Sequence, residues 1–382
     1  MFSRCRYIRE NKLKSFAKKA LSHLYYSFLL RKPERPQSAP PENSIAVVFL
    51  AALGDLIVFC DAARKLSASG KDITLVCRRG NGTADFARMT GLFHRVTEVD
   101  IDGKARAKNL GMLKELQVDT VFCAPLGRHI LPDMYACAIR AEHRFFPDTL
   151  LDCTLPSLKK RVDRYADELV PITETHELKR YTQFLSQCGL ISEPVRPFTL
   201  DRPAVRRGST IAVFPGAGGG EEKQWGVRNF AAVVSRLLEN GLAEKAVILG
   251  TQSDSRCCGE LFRLIQHSGN AENLCGATTI GGLTEILRGC SLALANDSAG
   301  AHLGIACGVP TVVVCGMWQY GRFFPDAEIE TPFASLDDSG RFCQTCDSSR
   351  PRCGISPAPC LKGVTADRVF ERAAGLLTKE RN

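Results

Sequence analysis

Short, unbroken apolar runs that alternate with stretches of helical periodicity constrain the fold of this 382-residue chain more than any other feature. In the first half the runs fall at 45–51, 73–77, 120–124 and 143–146, with helical patterns near 55–68, 83–91, 105–117 and 128–139. A second series places runs at 210–214, 246–250, 292–295 and 311–315, with helical patterns near 228–240, 254–267, 281–289 and 299–306. Strands that are apolar throughout are buried on both faces, which requires parallel sheets covered by crossover helices. Two such series predict two doubly wound α/β domains, Rossmann-like in layout.

Pro194, Pro197 and Pro203 interrupt a polar stretch and set the expected join, giving domains at 44–200 and 201–382. Hydrophobic residues make up 45% of the chain and charged residues 24%, which is ordinary for a globular protein with a large core. The 17 cysteines are scattered through apparent strands such as those holding Cys77, Cys123 and Cys315. That scatter fits a reducing compartment and small buried apolar side chains better than a disulfide framework.

The charge is concentrated at one end. Residues 1–40 hold ten Lys or Arg against two Glu, so +8 of the formal +9 sits there. Between Arg4 and Lys32 the cations interleave with Leu13, Phe16, Leu21, Leu24, Tyr25 and Phe28 mostly at three- and four-residue steps, the pattern of a basic amphipathic helix. Pro33, Pro36, Pro40 and Pro41 then mark a linker, so residues 1–43 read as a tail. The apolar stretch 21–30 is too short to span a bilayer, which takes about 20 residues. Residues 1–32 are therefore expected to meet an anionic membrane surface; a solvated tail is the alternative, and nucleic acid is not the expected partner.

Ligands of open α/β sheets bind beyond the carboxyl ends of the strands, so the strand-to-helix loops carry the candidate chemistry. After the first strand comes Leu53-Gly54-Asp55. Asp55 reads either as the cap of a helix starting near Leu56 or as a general base, with Gly54 allowing close backbone approach. After the first strand of the second series, Gly216, Gly218, Gly219 and Gly220 expose backbone N–H groups and Lys223 adds a cation, an arrangement suited to an anion. It is neither a dinucleotide fingerprint nor an NTPase loop, because Glu221 stands where a third glycine belongs and no Gly-Lys-Ser/Thr follows. Asn296-Asp297-Ser298-Ala299-Gly300-Ala301-His302 leaves a strand and opens a short helix whose N-terminus suits a diphosphate. His302 reads as a phosphate donor or as a structural group.

Cys343, Cys346, Cys353 and Cys360 fall within 18 residues, a density compatible with a structural zinc or iron site, with disulfides or with unligated loop thiols. Asp100 and Asp102 form a D-x-D pair that reads as a strand end and helix cap rather than a divalent-metal site.

In this order the segments resemble glycosyltransferase family 9, the heptosyltransferase family. The resemblance rests on Leu53-Gly54-Asp55, on Pro215-Gly216 with Lys223-x-Trp225, and on Asn296-Asp297-Ser298 with His302 followed by Gly308-Val309-Pro310-Thr311. It covers about residues 44–375. The resemblance implies a GT-B fold, two Rossmann-like domains facing across a cleft, and inverting transfer of a sugar, commonly heptose from ADP-heptose, to a lipopolysaccharide core or related lipid-linked glycan. No metal or other cofactor is implied for catalysis. Asp55 would take the proton of the acceptor hydroxyl. Gly216, Lys223, Ser298, Gly300 and His302 would hold the departing diphosphate, and Asp297 the donor sugar. Ala299 stands where the family has Gly, so Gly300 is expected to supply the close backbone approach. The implied location is cytoplasmic, peripheral on the inner face of the cytoplasmic membrane. A nucleotide-sugar epimerase of the same architecture and a non-catalytic nucleotide-sugar or glycan-binding protein are the alternatives.

Overall fold

The computed structural model describes residues 21–124, 126–149, 156–201, 208–218, 220–316, 319, 321–323 and 359–381. A helix over 21–29, α1, precedes the first strand. The chain then runs β1 (Ser44–Phe49), α2 (Leu53–Ala68), β2 (Asp72–Arg78), α3 (Thr83–Thr90), β3 (Arg95–Val99), α4 (Arg106–Lys114), β4 (Gln117–Cys123), α5 (Ile130–Ala138), β5 (Arg140–Asp148), α6 (Pro156–Asp163), β6 (Glu168–Pro171) and α7 (Glu177–Gln187). The second series is β7 (Thr210–Phe214), α8 (Val227–Glu239), β8 (Lys245–Ile248), α9 (Ser255–Ile265), β9 (Asn270–Asn273), α10 (Ile280–Arg288), β10 (Leu292–Asn296), α11 (Ala299–Ala306), β11 (Thr311–Val314), α12 (Pro359–Lys362) and α13 (Ala366–Arg381).

Both sheets are parallel, as unbroken apolar strands require. The first has the order β3-β2-β1-β4-β5-β6 and the second β11-β10-β7-β8-β9. Each is doubly wound, reversing direction beside its first strand, between β1 and β4 in one and between β7 and β10 in the other. The strands absent from the sequence reading, β3, β6 and β9, all lie at sheet edges. They are only partly buried and carry Arg95, Glu98, Glu168 and Glu272, so no apolar run announces them.

The chain divides into two compact units: one holds the residues through Ala51, Ala63–Thr173 and Arg180–Glu193, the other Ala52–Ala62, Glu174–Lys179 and Pro194 onward. The first half of α2 therefore clusters with the second unit, although the helix grows from a strand of the first sheet. In the first unit Val48, Val76, Val121 and Phe146 build a core together with Tyr135 and Met134 of α5. Leu30 is buried in that core, and Tyr26 and Leu29 pack against it. The Pro-rich segment that follows is tied down as well. Arg35 pairs with Asp167 at 2.7 Å, and Glu34 accepts from Arg140 at 3.1 Å. In the second unit the core lies between β7, β8, β10 and β11 and the helices α8, α9 and α13. Asp102 accepts from the Lys104 amide at 3.0 Å and caps the turn before α4, a structural use of the D-x-D pair.

Candidate active site

In the second sheet the loops after β7 and β10 meet at the point of reversal, the position where doubly wound sheets bind ligands. Asn296, buried at the end of β10, joins them. Its side-chain amide donates to the Pro215 carbonyl at 2.7 Å and accepts from the Trp225 amide at 3.0 Å, so one residue brackets both ends of the glycine-rich loop. Trp225 is itself a structural anchor. Its indole N–H donates to the Val364 carbonyl at 2.7 Å, and its ring stands edge-on to Phe230 at 5.1 Å.

Within that frame Lys223 lies 3.8 Å from the Asp297 carboxylate, and both side chains are largely buried. Asp297 Oδ2 also accepts from the Gln319 amide at 2.9 Å. Ser298 is the N-cap of α11 but its hydroxyl makes no capping bond. The Ala301 amide gives the first bond of that helix, to Ser298 O at 3.1 Å, so the amides of Ala299 and Gly300 precede the helical ladder. Gly300 has a packing reason. A Cβ there would stand 2.4 Å from the Phe214 ring, so the missing side chain makes room for a core aromatic of β7. Gly216 likewise backs onto protein, since its Cβ would fall 2.2 Å from Asp254 Oδ1.

Asp55 belongs to the same compact unit as these loops. Helix α2 starts at Leu53 rather than near Leu56, because the Ala52 carbonyl already accepts the Leu56 amide at 3.2 Å. Asp55 thus stands inside the first turn. Gly54 packs against His302, where a Cβ would come within 2.9 Å of the imidazole Cδ2 and 3.4 Å of Ala299 Cα. The glycine of this motif brings α2 onto α11, and that contact sets Asp55 beside the start of α11.

The Asp55 residue is partly exposed, but its carboxyl is enclosed by protein, and that burial pushes its pKa up to about 6. Arg322 opposes the shift, while Glu177 and then Asp297 add to it. Glu177 and Arg322 were invisible as site residues in the sequence. Glu177 is buried, lies 3.4 Å from the Arg322 guanidinium, and donates its amide to the Arg322 carbonyl at 2.8 Å. Arg322 also lies over the Phe323 ring at 4.6 Å. His302 stands edge-on to Phe323 at 5.4 Å. Burial lowers its pKa, partly offset by Asp297, so the imidazole is neutral at neutral pH. Beside it Ile57, Val58, Phe198, Ile305 and Phe323 line a small apolar pocket.

Asp55, Lys223, Asp297, Ser298, Gly300 and His302 therefore lie in one unit, and Gly216 starts the loop that delivers Lys223. Cys343, Cys346 and Cys353 lie outside the described residues. Cys360 is buried in the core of the second unit with Leu361 and Val364. Among the described residues no group of three His, Cys, Asp or Glu side chains is arranged to hold a metal ion.

Replacing Asn296 with Ala removes two buried hydrogen bonds and leaves the Trp225 amide and Pro215 carbonyl without their partner. A loss of about 1–3 kcal/mol for each orphaned group is expected in denaturant unfolding, and a midpoint equal to that of the parent chain would contradict the bracket.

Solved structures share the fold at low identity. E. coli ADP-heptose lps heptosyltransferase II matches with a TM-score of 0.67 and 16% identity, over 89% of this chain and 100% of that one. A glycosyl transferase family 9 protein from Veillonella parvula DSM 2008 matches with a TM-score of 0.67 and 16% identity, over 92% and 99%. E. coli heptosyltransferase WaaC with ADP-2-deoxy-2-fluoro heptose matches with a TM-score of 0.62 and 15% identity, over 89% and 100%. The fold is GT-B, with two Rossmann-like units. No curated protein sequence matches the chain. The model of glycosyltransferase family 9 (heptosyltransferase) matches residues 174–338, which include the Glu177 segment, the glycine-rich loop and α11. That segment is similar to glycosyltransferase family 9, and the chain as a whole shares its fold with the solved structures.

Proposed function

We propose that the protein is an inverting glycosyltransferase that moves heptose from ADP-heptose to a lipopolysaccharide core or related glycan acceptor without a catalytic metal. The observation that carries this reading is the convergence in one unit of a half-buried carboxylate, Asp55, with a cation and a helix N-terminus at the reversal point of a doubly wound sheet. Donors bound by the related E. coli enzyme, ADP-2-deoxy-2-fluoro heptose in one solved structure and ADP in another, support the choice of nucleotide.

Asp55 accepts the proton of the acceptor hydroxyl as its oxygen attacks the anomeric carbon. The bond to the diphosphate then breaks, and negative charge grows on the leaving oxygen. Lys223, the amides of Ala299 and Gly300 that follow Ser298, and the neutral His302 imidazole N–H are the donors available to that charge. Donors fixed beforehand by the fold lose no energy to reorganisation when the charge appears. Lys223 leaves Asp297 for the phosphate when donor binds, and Asp297 is then available to the hydroxyls of the sugar. A base with a pKa near 6 is mostly ionised at neutral pH yet more basic than an ordinary carboxylate.

The two roles separate experimentally. Asp55→Asn is expected to cut turnover by about 10²–10⁴-fold while leaving donor affinity nearly unchanged. In the parent enzyme kcat/KM is expected to fall as the pH drops through about 6, because the protonated carboxyl cannot accept a proton, and to level off above it. Unchanged turnover in the variant, or an acid limb placed near pH 4, removes Asp55 as the base.

Donor identity is read by thermal shift across a panel of nucleotides and nucleotide sugars. At 100 times its dissociation constant a ligand stabilises the protein by about 2.7 kcal/mol, so ADP and ADP-heptose are expected to rank first. A larger shift with a uridine or guanosine diphosphate sugar would replace the donor assignment.

Peripheral membrane attachment is part of the same reading. Leu21, Leu24 and Phe28 on α1 are 69%, 66% and 68% exposed, while Tyr26, Leu29 and Leu30 face the core of the first unit. An exposed apolar stripe beside the cations of residues 1–32 suits the headgroup boundary of an anionic bilayer and brings the enzyme to a lipid-linked acceptor. No helix among the described residues is long and apolar enough to cross a membrane. The double substitution Leu24→Glu with Phe28→Glu leaves the core contacts intact and is expected to abolish co-sedimentation with anionic liposomes at low salt. Undiminished sedimentation would count against this attachment.

A further inference from the structure

Three thiols outside the site described above gather around the loop after β8. Cys257 stands in the first turn of α9 and Cys258 follows it, while Cys275 comes two residues after β9. The segment carrying Cys275 is held alongside that loop by backbone bonds from Leu274 N to Ile248 O and from Gly276 N to Gly250 O, both 2.9 Å. All three sulfurs point at the same stretch of backbone. Cys257 Sγ donates to Asp254 O at 3.1 Å, Cys258 Sγ to Leu249 O at 3.8 Å and Cys275 Sγ to Thr251 O at 3.1 Å. The three carbonyls fall within the six residues 249–254, so one loop brings the thiols to one place. Cys258 is buried; Cys257 and Cys275 are both partly exposed.

We propose that Cys257, Cys258 and Cys275 form an oxidisable thiol site that closes into a Cys258–Cys275 disulfide, joining α9 to the segment after β9, when a peroxide-class oxidant reaches it. A bridge between Cys257 and Cys258 is excluded by geometry, because adjacent residues of a regular helix direct their side chains about 100° apart. In the first step the Cys275 sulfur gives up its proton to solvent and attacks one peroxide oxygen. The O–O bond breaks, the departing hydroxide takes up a proton as water, and Cys275 carries the hydroxyl as a sulfenic acid. In the second step the Cys258 sulfur attacks the Cys275 sulfur and the S–O bond breaks. The Cys258 proton passes to the departing hydroxide, giving a second water. Two thiols are oxidised by two electrons in all, and one peroxide is reduced.

The linkage acts on a loop packed closely against its neighbour, since the Asp254 carboxyl at its end fills the space beside Gly216 and Gly250. A disulfide there changes the seat of the glycine-rich loop irrespective of which donor the protein takes.

The test uses the full chain, folded, exposed to hydrogen peroxide, alkylated, digested with trypsin and analysed by mass spectrometry. The expected product is the peptide 257–263, alkylated at Cys257, joined to the peptide 264–288 and lighter by two hydrogens than the sum of the two. Cys275→Ser and Cys258→Ser should each abolish it, and the Cys275 sulfenic acid should become trappable by dimedone in Cys258→Ser. Cys188→Ser, remote in sequence and in the other unit, should leave it unchanged. Thermal melts of each variant before oxidation separate loss of the site from loss of the fold. Absence of the joined peptide from the folded parent chain, or its persistence in Cys258→Ser, overturns the proposal.

Discussion

The Asn296 side chain is the interaction on which the rest of the site depends. Strands β7 and β10 are neighbours in the sheet, but adjacency alone leaves the long glycine-rich loop between Pro215 and Trp225 without a defined path. The amide, with one donor and one acceptor used on the two ends of that loop, closes it in a single geometry. Both bonds are buried, so breaking either leaves a backbone group without water to replace its partner. Lys223 reaches Asp297 because the loop that bears it is fastened to the residue immediately before Asp297.

A second constraint is electrostatic. A carboxylate enclosed by protein resists ionisation. Asp55 has Arg322 to counter that tendency, and Arg322 in turn is engaged by the buried Glu177. The balance leaves a carboxyl with a pKa about 6, neither a spectator acid nor a fully neutralised member of an ion pair. Small residues complete the arrangement. Gly54 permits α2 to lie on His302 and Ala299, and Gly300 permits α11 to lie on Phe214, so the positions of both helices are set by close packing.

Much of the fold was legible in the sequence because its central strands are buried on both faces and therefore apolar throughout. The edge strands β3, β6 and β9 were not, since an edge meets solvent and tolerates charge. Lys223, Asp297 and Ser298 were legible because glycine density and a strand-to-helix transition mark them locally. Gln319, Glu177 and Arg322 carry no such local mark, and nothing near them in the chain says that they approach Asp297 and Asp55. The packing use of the glycines had no local mark either, since Gly54 and Gly300 make room for side chains distant in sequence. Residues 1–20 and the cysteines from Cys343 to Cys353 lie outside the described structure.

By itself the sequence determined the alternation of strand and helix, the parallel sense of both sheets and the loops in which chemistry resides, because periodicity and turn composition are local properties. Only the tertiary structure decided the strand order that puts the loops after β7 and β10 at a reversal point, the grouping of Ala52–Ala62 with the second unit, and the charged neighbours of Asp55. Those are matters of distance between residues far apart in the chain, and a pKa or an ion pair exists only once that distance has been set.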